Sequence, residues 1–276
     1  MTLGMNYSYR PISSYELTLP PSHLLPSLQS ENKNYDRYFL SFLADLRFEV
    51  TRIHVIDVGA NVGDTALAII SVIPEARVVA VEGSPFFLKF LNKNTEPYDN
   101  VTVIPKFVAV GDALLSYESD GSTGNLKPNS KKINMASHSF VSVKELLSRT
   151  SIEDFVIWKT DTDGHDISIL MHNFTELTKS CSILWFEYDP VDAFCDFSLT
   201  ERLLTEISAL SLNMLVFDNL GHLVFHESCK RGAPILRQLT HWLQSLESSN
   251  SRLTRIAYFD VWIMERQYAN MFSKQA

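Results

Sequence analysis

The chain lacks what a membrane, zinc or disulfide protein needs. No stretch approaches the roughly 18 continuous apolar residues of a membrane-spanning helix. The N-terminus carries no basic stretch leading into an apolar run, so no secretion signal is expected. Only three cysteines, Cys181, Cys195 and Cys229, stand in 276 residues. None is spaced as Cys-x-x-Cys, which excludes zinc and thioredoxin readings, and an odd count in so long a chain suits a reducing cytosol. Positive charge is also short: 24 Lys and Arg face 32 Asp and Glu, a net charge of −8. Such a surface repels phosphate backbones, so nucleic acid is not an expected partner; with no apolar span, neither is a membrane. The compact basic group Lys127, Lys131 and Lys132 reads as a solvated loop. What remains is an ordinary globular composition, 45% apolar and 20% charged, in a chain long enough for a substantial core. A cytoplasmic protein is expected, with homo-oligomerisation left open.

Residues 1–34 are rich in Ser, Pro, Asn and Tyr and read as an extended or loosely helical arm. Tyr35, Tyr38, Phe39, Phe42, Leu43 and Leu46 then recur at steps of three and four, one face of an amphipathic helix. The division expected is an arm with that helix over 1–50, as a lid or dimer contact, and a main domain over 51–276. Beyond it strands and helices alternate. Strands are predicted at 53–57, 77–82, 101–111 with a break at Pro105, 155–159, 182–187, 214–218, 223–226 and 257–264. Helices are predicted at 64–73, from Pro85 through Leu91, at 165–177, and around Leu236–Leu246. Ser142 with Glu145, and Ser198 with Glu201, fit capping boxes opening two more. Alternation of this kind argues for a mostly parallel sheet covered on both faces, with ligands bound beyond the carboxyl ends of the strands.

The strongest signal is the segment Asp57-Val58-Gly59-Ala60-Asn61-Val62-Gly63 between the first strand and the next helix. Glycine lets the backbone turn sharply and approach a ligand without a Cβ clash. The helix start beyond it offers unpaired N–H groups to a negative group. That group is a pyrophosphate in a dinucleotide enzyme and the methionine carboxylate in an S-adenosylmethionine enzyme. The spacing Gly-Ala-Asn-Val-Gly is not the Gly-x-Gly-x-x-Gly that admits a pyrophosphate. Asp57 would repel phosphates and attract a cofactor bearing a sulfonium and an amino group. Glu82 ends the second strand, where a carboxylate accepts from ribose hydroxyls. Asp57, Gly59, Asn61, Gly63, Glu82 and Gly83 are the expected cofactor residues. Asp112 is added beside the adenine, near Val110 and Gly111.

Val-Ile-Asp-Val-Gly-Ala-Asn-Val-Gly at 55–63, Val-Glu-Gly-Ser-Pro at 81–85, Lys-Thr-Asp-Thr-Asp-Gly-His-Asp at 159–166 and Trp-Phe-Glu-Tyr-Asp-Pro at 185–190 resemble the FkbM-type methyltransferases. The likeness covers 53–190 and extends loosely through Asn219-Leu220-Gly221 and Tyr258-Phe259-Asp260; the first 50 residues do not contribute. It implies the class I Rossmann-like methyltransferase fold, an α/β architecture with a seven-stranded, mostly parallel sheet, helices on both faces and here an N-terminal helical extension. It also implies S-adenosylmethionine as cofactor and O-methylation of a hydroxyl on a sugar, polyketide or related natural product.

Methyl transfer requires alignment of the acceptor oxygen and removal of its proton. Asp161, Asp163, His165 and Asp166 cluster after the fourth strand, and Glu187 and Asp189 end the fifth. Asp161, His165 and Glu187 are the expected catalytic residues, with His165 or Asp161 taking the proton directly. In the alternative, Asp161, Glu187 and Asp189 hold a hard cation such as Mg²⁺. Asp163-Gly164 reads as a turn, Asp166 as a cap of the following helix, and Lys159 as a strand residue whose head reaches water. Three other functions compete. A nicotinamide-dependent oxidoreductase is opposed by the glycine spacing, and a non-catalytic cofactor-binding module by the intact turn and distal acid. A nucleic-acid methyltransferase would carry an Asn- or Asp-Pro-Pro-aromatic loop, and Asp189-Pro190-Val191 lacks the second proline and the aromatic.

Overall fold

The computed structural model describes residues 7–9, 15–32, 37–109, 115–119, 124–128, 139–191, 197–248 and 256–272. The apolar runs form one sheet of eight strands: β1 (Ile53–Val58), β2 (Arg77–Val81), β3 (Val101–Ile104), β4 (Phe155–Thr160), β5 (Ile183–Tyr188), β6 (Asn213–Asp218), β7 (Leu223–Ser228) and β8 (Phe259–Met264). Their spatial order is β7-β6-β8-β5-β4-β1-β2-β3. Five strands, β3 to β1 and then β4 and β5, are mutually parallel. β8 runs antiparallel between β5 and β6, and β7 is an antiparallel edge. The chain leaves β1 toward β2 on one side and returns through β4 on the other. That junction is the switch point at which open α/β sheets bind ligands.

The helices are α1 (Leu25–Glu31), α2 (Arg37–Glu49), α3 (Asp64–Val72), α4 (Leu88–Thr95), α5 (Val143–Leu147), α6 (Asp166–Ser180), α7 (Phe197–Ser208), α8 (Cys229–Ser248) and α9 (Arg266–Phe272). Strand side chains alternate between two faces. Val156, Trp158, Leu184, Phe186, Val261 and Ile263 pack with α5, α6, α7 and α8. Ile53, Val55, Ile157, Trp185, Phe217 and Trp262 pack with α2, α3 and α9. Burial of side chains of this size is worth about 1.5–3 kcal/mol each. The stripe expected on the amphipathic helix is real: Phe39, Phe42, Leu43 and Leu46 of α2 are buried against this second face.

Several expectations need correction. The sheet has eight strands where seven are implied, because β7 folds back on β6. The turn between them is closed by Asp218, whose carboxylate accepts from Leu220 N at 3.0 Å and His222 N at 2.9 Å. The third strand stops at Ile104, before Pro105; Phe107–Val108 instead pairs in parallel with Phe140–Val141. α4 begins at Leu88, three residues after Pro85, because Ser84 Oγ accepts from Phe86 N and Phe87 N and holds a turn there. Of the first capping box the Ser142 half forms, its Oγ accepting from Glu145 N at 3.1 Å, while the Glu145 carboxylate faces Lys106. The second box does not form: Ser198 lies inside α7, and the Glu201 carboxylate accepts from Arg237 Nε. α8 starts at Cys229, well before the predicted apolar stripe, and α9 was not predicted. No helix among the described residues is long and apolar enough to cross a membrane.

Candidate active site

A cavity of about 470 Å³ opens at the carboxyl ends of β1, β2, β4 and β5 and the amino end of the antiparallel β8. The turn after β1 forms its floor. Gly59 has φ +85°, Asn61 +46° and Gly63 +89°. A Cβ on Gly59 would lie 1.8 Å from the Asp161 carbonyl oxygen. Only glycine therefore lets the β1 and β4 loops touch. Gly59 N and Ala60 N donate to Val81 O at 3.0 and 3.1 Å, which ties the turn to β2. Gly63 precedes α3 without a side-chain cap. The turn presents Gly59, Asn61, Asp64 and Thr65 to the cavity, while Gly63 supports them from outside its lining.

Glu82 follows β2 and is 9% exposed. Its Oε2 accepts from Asn61 N at 2.9 Å and its Oε1 from Ser84 N at 2.7 Å. Burial nevertheless pushes its carboxyl up to about 7. Gly83 also lines the cavity, and a Cβ there would lie 2.3 Å from the Phe107 ring. His23, from the segment before α1, closes the opposite side with Nε2 3.2 Å from Asn61 Oδ1. Asp112, Val110 and Gly111 lie outside the described residues.

Asp57 is fully buried and does not line the cavity. In-register pairing of β1 and β4 sets Lys159 beside it. Lys159 Nζ lies 3.2 Å from Asp57 Oδ1 and 3.2 Å from Asp161 Oδ2, and 5.2 Å from the centre of the Trp185 ring. Lys159 is 3% exposed, so its head does not reach water as expected but lies between two acids. Burial disfavours the ammonium, yet the Asp161 and Asp57 carboxylates outweigh it and hold Lys159 well above its ordinary value. Burial raises Asp57 in turn, against the opposing pull of Lys159. Neither Asp57 oxygen has a hydrogen bond, the Lys159 contact being an ion pair without hydrogen-bond alignment.

The loop after β4 bends where it was expected to, with Asp163 at φ +51° and Gly164 at +106°. Asp166 is not the residue preceding α6 but its first; His165 precedes it, in a helical conformation. The buried Asp166 carboxylate accepts from Thr162 N at 3.2 Å, which closes the loop. Burial, with Asp161 nearby, pushes it up to about 8. Asp161, Asp163, His165, Glu187 and Asp189 all line the cavity. Burial raises the Glu187 carboxyl well above its ordinary value, with Asp161, Asp166, Asp163 and Asp260 adding to the shift.

Lys159, Asp260, Tyr38 and His23 also line this cavity and were not singled out as site residues. Tyr38 Oη donates to Asp260 Oδ2 at 3.0 Å, and Trp185 Nε1 donates to Asp260 Oδ1 at 3.2 Å. Burial, then Asp161, pushes the Asp260 carboxyl up to about 6. The signal available was an acid inside the apolar run Phe-Asp-Val-Trp-Ile-Met. Among the described residues no group of three or more His, Cys, Asp or Glu is placed to hold a metal ion. The donor set of the Mg²⁺ alternative is therefore not assembled.

Solved structures show a limited likeness to this one. The METTL16 methyltransferase domain superposes with a TM-score of 0.49 at 11% identity, over 92% of this chain and 74% of that one. The plantazolicin methyltransferase BpumL, in complex with a monoazolic desmethylPZN analog and SAH, gives 0.43 at 13%, over 87% and 88%. The O-methyltransferase from Bacillus cereus in complex with SAH gives 0.42 at 11%, over 82% and 80%. No protein-family model matches the chain, and no curated protein matches it in sequence. At these values the likeness carries no argument about activity or acceptor. The mixed α/β, Rossmann-like arrangement, with helices on both faces of a mostly parallel sheet, stands on the strand order itself.

Proposed function

We propose that the chain is an S-adenosylmethionine-dependent methyltransferase of the FkbM type, acting on a hydroxyl of a sugar or natural product. One observation carries the reading: the glycine turn after β1, the uncapped start of α3 and the distal Glu82 meet at one cavity, without the glycine spacing of a pyrophosphate site. The donor set suits the cofactor. Backbone N–H groups at the start of α3 suit its carboxylate. Glu82 retains acceptor capacity for ribose hydroxyls beyond its two backbone partners. Gly83 and Phe107 offer a flat apolar surface suited to adenine. Asp57 supports the turn from beneath, through Lys159. The cofactor would supply an electrophilic methyl group; the chain would bind, orient and deprotonate the acceptor. Asp161, His165 and Glu187 line the same cavity, and we assign them to the acceptor. Residues 1–50 serve as an arm, with His23, Leu25, Leu28 and Tyr38 forming one cavity wall.

Calorimetric titration of the full chain with S-adenosylhomocysteine tests this. Glu82→Ala is expected to lose binding at least tenfold, since it removes the ribose acceptor and releases Asn61 N. Unchanged affinity in a folded Glu82→Ala would remove the site assignment.

A further inference from the structure

Three carboxylates stand side by side at the carboxyl edge of the sheet. Thr160 of β4 pairs with Phe186 of β5, so Asp161 comes level with Glu187. Glu187 is in turn the cross-strand partner of Asp260 on β8. Alternation puts all three on the face that carries Trp185 and Trp262, and all three line the cavity. Directly opposed residues on neighbouring strands have Cβ atoms about 4.5–5.5 Å apart. Carboxylates on such neighbouring positions disfavour one another's ionisation, which favours retention of a proton among them.

The partners of each acid decide where that proton sits. Asp161 is engaged by the Lys159 ammonium. The Glu187 carboxyl makes no hydrogen bond among the described residues and faces Asp161, Asp166, Asp163 and Asp260. Asp260 has a neutral donor on each oxygen, Tyr38 on one and Trp185 on the other, and faces the charges of Asp161 and Lys159. Donors aimed at a carboxylate favour its ionised form, whereas an acid without donors among other acids keeps its proton.

We infer that Asp260 is the carboxylate that receives the acceptor's hydroxyl proton, that Tyr38 positions it from the N-terminal helix, and that Glu187 stands beside it as a neutral acid. The inference rests on the methyltransferase reading. In the step, the O–H bond breaks and its proton goes to an Asp260 oxygen. The freed electron pair on the acceptor oxygen forms the bond to the methyl carbon, and the carbon–sulfur pair returns to sulfur. A base that ionises just below neutral pH suits this transfer, being free at working pH yet basic enough to take the proton. The role gives α2 a function that no motif in the first 50 residues announces.

The test is infrared titration of the full chain without ligand, with ¹³C-labelled Asp or Glu carboxyls. A protonated Glu signal at neutral pH is expected that disappears in Glu187→Gln. An Asp signal titrating near pH 6 is expected that disappears in Asp260→Asn. Tyr38→Phe, which keeps the ring, is expected to move that midpoint upward by about one pH unit, since the charged form loses a donor. Should Asp260→Asn fail to fold, the Tyr38→Phe shift carries the assignment. An ionised Glu187 at neutral pH, a protonated Asp260 there, or a midpoint unmoved by Tyr38→Phe overturns the inference. S-adenosylhomocysteine calorimetry of the wild type runs alongside and is expected to show binding. If wild type does not bind at all, the methyltransferase reading fails, whatever the carboxyl titrations show.

Discussion

Removal of the Lys159 ammonium probes the site where it is most buried. Lys159 is 3% exposed, with Nζ 3.2 Å from Asp57 Oδ1 and 3.2 Å from Asp161 Oδ2. The Asp161 side chain is 48% exposed and finds water if its partner goes. Asp57 does not: it is fully buried and has no hydrogen bond. Lys159→Met keeps the length and most of the volume of the side chain while taking away the cation. Breaking a buried pair from one side costs about 3–5 kcal/mol, because the remaining charge is left uncompensated. Asp57 reduces that cost by taking up a proton, and burial already raises its carboxyl. The loss is therefore expected to be larger at mildly alkaline than at mildly acidic pH, since a raised carboxyl loses its stabilising proton as pH rises. Urea unfolding followed by tryptophan fluorescence reads both values. The double variant Lys159→Met with Asp57→Leu is expected to recover most of the loss, since exchanging a buried pair for apolar side chains is close to neutral. A loss below about 1 kcal/mol at both pH values, the range of an exposed pair, would refute the reasoning. So would a double variant no more stable than the single one.

Gly59→Ala is expected to cost more than an ordinary turn substitution. It adds a Cβ 1.8 Å from the Asp161 carbonyl at a φ of +85°, and so forces the β1 and β4 loops apart; thermal unfolding and S-adenosylhomocysteine binding are both expected to fall, and retention of both contradicts the turn geometry. Stability is also expected to drop with rising pH across a window from about 4 to about 8. The carboxyls of Glu82, Asp166 and Asp260 lie at about 7, about 8 and about 6 in the folded chain. Between their ordinary values and these, the folded state holds protons the unfolded state has released, so unfolding gains as pH rises; buried His54, lowered by burial, opposes this in part. Urea midpoints across the window check the sign, and stability rising steadily from pH 4 to 8 contradicts it.

The turn at 57–63 was legible because its demands are local. Gly59 and Gly63 adopt positive φ in the structure, as a sharp strand-to-helix turn requires, and Glu82 ends its strand where the apolar run stops. Lys159 was not legible. Its spacing within β4 fits a snorkelling lysine equally well, and only the register with β1 reveals Asp57 beside it. Asp260 and Tyr38 were hidden for a related reason. β8 inserts antiparallel between β5 and β6, and α2 packs across that insertion, so two residues 222 positions apart share a hydrogen bond. Long-range pairing of this kind leaves no periodic trace. α9, at seven residues, is too short for helical periodicity to mark it. Asp166 was read as a cap from its residue type, whereas its carboxylate closes the loop before the helix.

Binding of cofactor to the wild-type chain addresses the central claim most directly. Side-by-side calorimetry with S-adenosylhomocysteine and with NADH separates the sulfonium-cofactor reading of the 57–63 turn from the dinucleotide one. One-to-one binding of S-adenosylhomocysteine with no heat from NADH is the predicted result. Tight NADH binding with no response to S-adenosylhomocysteine would contradict it.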